Sequence, residues 1–276
     1  MNTVDVLIIA GASITKSPWY TWADVAIEML QPSTIIDVSA KGTGNYFITT
    51  SCINQIQQLN TKNKNVLVMP MFTNIDKFDM YLSSDETAHY AKEKHKPITL
   101  LGSESATDQY GFWCTGGHWP LIKQDYYDKF FNVEVTVLNT IMLFYSLQQA
   151  CQHKQVSLVP LFDSDIWDVL ELDINNFVTE KNNFLPKRRM LEYPVVKNFK
   201  SLLNNHWYEF ESLIGFAHCN NLPFYSNTFK THPPSQVHYE WYDTHIKDRV
   251  QFKHREPSQS FIKKINDFAN LWNESS

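Results

Sequence analysis

The chain has 276 residues, enough to bury a substantial core, and at 43% hydrophobic residues it is not a disordered protein. Its net charge is −5 and its basic residues are scattered apart from small clusters such as Lys187-Arg188-Arg189, which excludes a basic footprint for nucleic acid. No apolar run approaches the ~20 residues of a membrane helix, and no basic leader with an apolar middle precedes the first apolar run, so the expectation is a soluble cytoplasmic protein without a membrane partner.

In chain order, Val6-Leu7-Ile8-Ile9-Ala10 within 4–10 is a short apolar run that predicts a buried strand. Ala23, Ala26, Ile27 and Leu30 recur at helical spacing, so a first helix is expected over about 18–30, ended by Pro32. A second strand follows at Thr34–Val38, a turn at Ser39–Asn45, a helix over about 46–60 and a third strand at Val66–Met71. Strand, helix, strand, helix, strand implies right-handed βαβ crossovers and a parallel sheet. Residues about 77–120 read as an irregular, aromatic-rich loop insertion containing Tyr110–Pro120. Beyond it, Val135, Leu138, Met142 and Tyr145 mark a long helix over about 122–151, and Val156–Phe162 a fourth strand followed by Asp163 and Asp165. Residues about 165–195 are poorly patterned. Helices are expected over about 197–218, over about 235–247 after Pro233-Pro234, and at the C-terminal end, where Phe261, Ile265, Phe268 and Leu271 share a face. No repeat or linker is visible, so residues 1–276 are read as one α/β domain. Cys52, Cys114, Cys151 and Cys219 form no CxxC pair, which argues against a disulfide framework or a zinc site, and no cofactor is implied.

Three strand ends carry residues suited to acyl transfer: Ser13, Gly42 and Asn74. A parallel sheet directs all three to one edge, where open α/β sheets bind ligands. A serine hydroxyl is a nucleophile, and a glycine N–H and an asparagine amide are oxyanion donors. The serine also needs a base. His232 lies just before Pro233-Pro234, on a loop that leads into a helix and can face that edge. His232, His238 and His245 lack the spacing of a zinc set, so no metal site is expected. Taken singly, each residue has a simpler reading: Ser13 as a helix cap, Gly42 as a turn glycine, Asn74 as a turn former and His232 as a loop histidine.

The same four segments resemble the SGNH, or GDSL-like, hydrolases. Gly11-Ala12-Ser13 stands where that family has Gly-Asp-Ser; Asp37-Val38-Ser39-Ala40-Lys41-Gly42 has the shape of its second block; Phe72-Thr73-Asn74-Ile75-Asp76 keeps the asparagine of its third; Phe229-Lys230-Thr231-His232-Pro233 keeps the His-Pro of its fifth. The resemblance implies a flavodoxin-like three-layer α/β/α sandwich around a parallel sheet, and hydrolysis of an ester through an acyl-serine. Carried over by position, Ser13 is the nucleophile and His232 the general base, and the Ser13 N–H, the Gly42 N–H and the Asn74 side chain form the oxyanion hole. The family's aspartate three residues before the histidine is here Phe229. Either Asp163 or Asp165 serves as the acid, or a backbone carbonyl orients His232, or the site works as a dyad, or it is inactive. Trp113, His118 and Trp119 are candidate substrate contacts, the one feature that suggests a carbohydrate ester such as an O-acetylated sugar. A non-catalytic binding or structural protein and an acyltransferase are the competing readings.

Overall fold

The computed structural model describes residues 2–73, 75, 79–83, 107–108, 111–115, 132–164, 194–204, 207, 211–222 and 232–273. At its centre is a sheet in which every pairing is parallel. β1 (Val6–Ala10) lies between β2 (Thr34–Asp37) and β3 (Val66–Phe72), with Val6 opposite both Thr34 and Val66. On the far side of β3 lie β7 (Ser157–Leu158) and β8 (Leu161–Phe162), in one continuous register. The expected fourth strand is therefore split in two. The break falls opposite Met69 and Pro70, where Pro70 and Pro160 both lack the N–H that a ladder needs.

All five residues of β1 and all seven of β3 are buried, because both faces of the sheet are covered. On one face, Leu7, Ile9 and Met69 pack with Trp22 and Met29 of α1 (Trp22–Leu30), Phe216 of the later helix Leu213–Cys219, Trp241 of Ser235–Trp241 and Ile265 of Gln259–Asn273. On the other, Val6, Ile8 and Val68 meet Ile48 and Cys52 of α2 (Asn45–Gln58) and Val137, Ile141 and Phe144 of α3 (Val133–Lys154). The Phe144 ring stacks on Trp207 with centroids 4.6 Å apart. Helices on both faces of a mostly parallel sheet make an α/β arrangement compatible with a three-layer α/β/α sandwich. Among the described residues no helix is long and apolar enough to cross a membrane.

Several expected boundaries move. α1 starts at Trp22 rather than near 18, because Thr21 caps it: the Thr21 hydroxyl accepts the Ala23 N–H, and the Asp24 carboxylate accepts the Thr21 N–H at 2.7 Å. α3 starts at Val133 behind Asn132, whose side chain accepts the Val135 N–H. The segment about 77–120 is not wholly irregular. β4 (Asp79–Ser83), β5 (Thr107–Asp108) and β6 (Gly111–Thr115) form a separate antiparallel sheet in the order β4-β6-β5. Neither β4 nor β6 alternates strictly in hydropathy, and the two lie far apart in sequence, so their pairing leaves no local trace. The single helix expected over 197–218 is instead α4 (Pro194–Phe199) with a 3-10 turn to Leu202, and α5 (Leu213–Cys219), which the Ser212 hydroxyl caps at Gly215. α6 (Ser235–Trp241) runs on through a π-helical turn, Tyr242–Ile246, and α7 (Gln259–Asn273) ends the described chain.

Candidate active site

β1 delivers Gly11-Ala12-Ser13 to the carboxyl edge of the sheet. The chain turns there at once: the Thr15 and Lys16 N–H groups both donate to the Ala12 carbonyl at 3.0 Å. The turn needs glycine at 11, since a Cβ there would stand 2.0 Å from Thr15 Oγ1 and 2.7 Å from Thr15 Cβ. Ser13 is half-buried, and its carbonyl accepts the Ser17 hydroxyl. Its own Oγ lies 2.9 Å from His232 Nε2. The two residues are 219 positions apart, and Pro233 and Pro234 fix the backbone between His232 and the start of α6.

The loop after β2 is tied to this turn. The Ala40 N–H donates to the Gly11 carbonyl at 3.0 Å, so Ser13 and Gly42 each lie two residues beyond one shared bond. The Thr43 hydroxyl donates to Ala40 O at 2.7 Å and closes the loop, and Gly42 takes a φ of 78°, a left-handed conformation that disfavours any side chain. Asn45, the first residue of α2, reaches across to the end of β3: its Nδ2 donates to the Thr73 carbonyl and its Oδ1 accepts the Thr73 N–H, each at 2.9 Å. Asn74 itself lies outside the described residues, but the residue before it is fixed in this way. The N-terminus of α2 has no side-chain cap of its own. The Asp79 carboxylate supplies one, accepting the Gly44 N–H at 2.7 Å and the Phe47 N–H at 2.8 Å. β4 thereby starts beside the Gly42 loop.

Around His232, the Trp19 ring packs edge-on, with centroids 5.9 Å apart and planes at 87°. His238, six residues on, is fully buried, and its Nδ1 accepts the Trp22 N–H at 3.2 Å. Burial, together with the neighbouring His232, pushes the His238 imidazole down to about 3, against a weak opposing pull from the Pro233 carbonyl. His238 is thus neutral and is a structural histidine. His245 Nε2 lies 3.6 Å from Glu211 Oε2 instead of facing the other two. Among the described residues no group of three or more His, Cys, Asp or Glu is placed to hold a metal.

Asp163 is buried at the end of β8; its N–H continues the ladder to Phe72 O and its carbonyl accepts the Ile214 N–H. Its Oδ1 accepts the hydroxyl of its neighbour Ser164 at 2.7 Å. The backbone of Trp113 is in β6, opposite Tyr81. Asp165, His118, Trp119 and Phe229 lie outside the described residues.

Sequence reading missed four residues that shape this edge: Asn45, Asp79, Trp19 and His238. The sequence pattern places Asn45 in a turn, though an asparagine just after Gly44 at the head of a helix signals a capping or bridging role. Nothing local marks the other three. No protein-family model, no curated protein and no solved structure matches the chain.

Proposed function

We propose that the chain is a serine acyl hydrolase of the SGNH type. The observation that carries this reading is the 2.9 Å approach of Ser13 Oγ to His232 Nε2 at the carboxyl edge of a parallel sheet. In the proposed reaction the Ser13 hydroxyl donates its proton to Nε2 as Oγ attacks the acyl carbon. The oxyanion formed is held by the Ser13 and Gly42 N–H groups and the Asn74 side chain. Collapse expels the alcohol, which takes the proton from His232. Water, deprotonated by the same imidazole, then releases the acid and restores Ser13. The substrate class that fits is a small ester, such as an O-acetyl group on a carbohydrate.

A fluorophosphonate probe tests the reading. Labelling of the native chain that is lost in Ser13→Ala, with p-nitrophenyl acetate turnover lost in both Ser13→Ala and His232→Ala, is the expected result. No labelling, and turnover equal to that of Ser13→Ala, sinks it. Phe229 at the family's acid position favours a second reading, a non-catalytic binding protein on the same scaffold. That protein would keep its binding activity in His232→Ala.

A further inference from the structure

We infer that Trp19 and His238 are positioning residues for His232, Trp19 by packing against its ring and His238 through the hydrogen bond from the Trp22 main chain that ties α6 to α1, rather than by a carboxylate at position 229. The inference rests on the proposed hydrolase reading for its rate arm, and on geometry alone for its spectroscopic arm.

Both residues work through one short segment. Residues 15–22 run from the Ser13 turn to the head of α1 and close on themselves: the Thr21 hydroxyl donates to Thr15 O at 2.9 Å, and Trp22 Nε1 donates to Thr15 Oγ1 at 3.2 Å. Thr15 in turn is held by its N–H to Ala12. The segment is therefore built rigidly onto the turn that carries the nucleophile. From it, the Trp19 side chain, 3% exposed, sets its ring against His232. The Trp22 main chain meets His238 across 216 positions.

The second contact has a specific physical content. Trp22 is the first residue of α1, and its N–H is one of the donors that a helix leaves without an internal partner. His238 Nδ1 accepts it, so the imidazole acts as a long-range cap and its proton resides on Nε2. The positive end of α1 points at the ring, and burial adds to its preference for neutrality. A neutral His238 is compatible with a transient positive charge on the nearby His232; a second imidazolium there is not. The bond also sets the height of α6 against α1, and hence where His232, on the approach to α6, meets Ser13.

The test compares conservative with disruptive variants. Trp19→Phe keeps an aromatic ring and Trp19→Leu does not. His238→Asn places an amide oxygen close to where Nδ1 stands, whereas His238→Gln moves it one bond further out. The rate of Ser13 labelling by the fluorophosphonate at neutral pH, and the ¹⁵N shift of His232 Nε2, which reports its bond to Ser13, are measured on each, with thermal melting as the check on folding. The expected result is a roughly 10- to 100-fold slower labelling and a moved Nε2 shift in Trp19→Leu and His238→Gln, with both kept near native in Trp19→Phe and His238→Asn. Native rates and shifts in the disruptive pair overturn the inference. Equal losses in the conservative pair overturn it too. If Trp19→Leu does not fold, Trp19→Met fills the site without a ring and decides. If the native chain never labels at Ser13, the hydrolase reading falls, and the Nε2 shifts alone decide the positioning.

Discussion

The Asn45 side chain and the Thr73 main chain exchange two hydrogen bonds, each 2.9 Å long, across the gap between the head of α2 and the end of β3. Both residues are buried, with Asn45 3% and Thr73 1% exposed. One side chain thus couples two of the loops that border Ser13.

Truncating that side chain leaves a buried N–H and a buried carbonyl without partners. Each costs about 1–3 kcal/mol, so Asn45→Ala is expected to lose about 2–6 kcal/mol of stability. Asn45→Asp keeps the acceptor but turns a carboxylate oxygen toward the Thr73 carbonyl, and is expected to be at least as harmful. Chemical denaturation measures both, and an Asn45→Ala midpoint equal to the native one refutes the coupling.

The His238 imidazole has a definite pH signature. Its folded-state value lies near 3, far below the 6.5 of an unperturbed histidine. Between those values the unfolded chain binds a proton that the folded chain refuses, so this residue's effect on stability worsens as pH falls from about 6.5 toward about 3. The slope for one proton is about 1.4 kcal/mol per pH unit. His238→Asn has no such proton, so the native-minus-variant difference in unfolding free energy should shrink toward acid at about that slope. A difference that stays flat between pH 6 and pH 4 contradicts the prediction, that range being an approximate window between the two values.

Glycine at 11 and at 42 is required for different reasons. Gly11→Ala drives a Cβ into the buried Thr15, which must shift and release Trp22 Nε1. Overpacking of this kind costs about 1–3 kcal/mol. Gly42→Ala forces a side chain into a φ of 78° at about 1–2 kcal/mol. Calorimetry should show both losses. Under the hydrolase reading, Gly42→Ala also lowers turnover by more than its stability loss accounts for, because the N–H at 42 moves.

The Asp79 carboxylate caps α2 from outside the helix, at the first residue of β4. Asp79→Ala is expected to destabilise by about 1–2 kcal/mol, the usual range for a lost N-terminal cap. Asp79→Asn retains one acceptor oxygen and should recover part of the loss. Raising the salt concentration should narrow the gap between native and Asp79→Asn chains, since the helix-dipole component is screened. Equal stability of all three chains contradicts the capping role.

The strands of the central sheet and their parallel order were legible in the sequence because apolar runs such as Val6–Ala10 and Val66–Phe72 report burial directly, and their spacing admits only crossover connections; the antiparallel β4–β6 sheet was not. The position of Ser13 at a strand end follows from the same local pattern. Helix starts were less legible where a cap decided them, as Thr21 does for α1. The split of the fourth strand depends on Pro70 and Pro160 lying side by side, a fact about two strands rather than one.

What tertiary structure alone decided is which distant side chains meet. The 2.9 Å between Ser13 and His232, the grip of Asn45 on Thr73, the cap that Asp79 provides and the bond from Trp22 to His238 all join residues 28 to 219 positions apart. Periodicity reveals which face an element buries, since that depends on neighbours three or four residues away. It carries nothing about the partner across the fold, because a hydrogen bond constrains two atoms in space and leaves the chain between them unmarked.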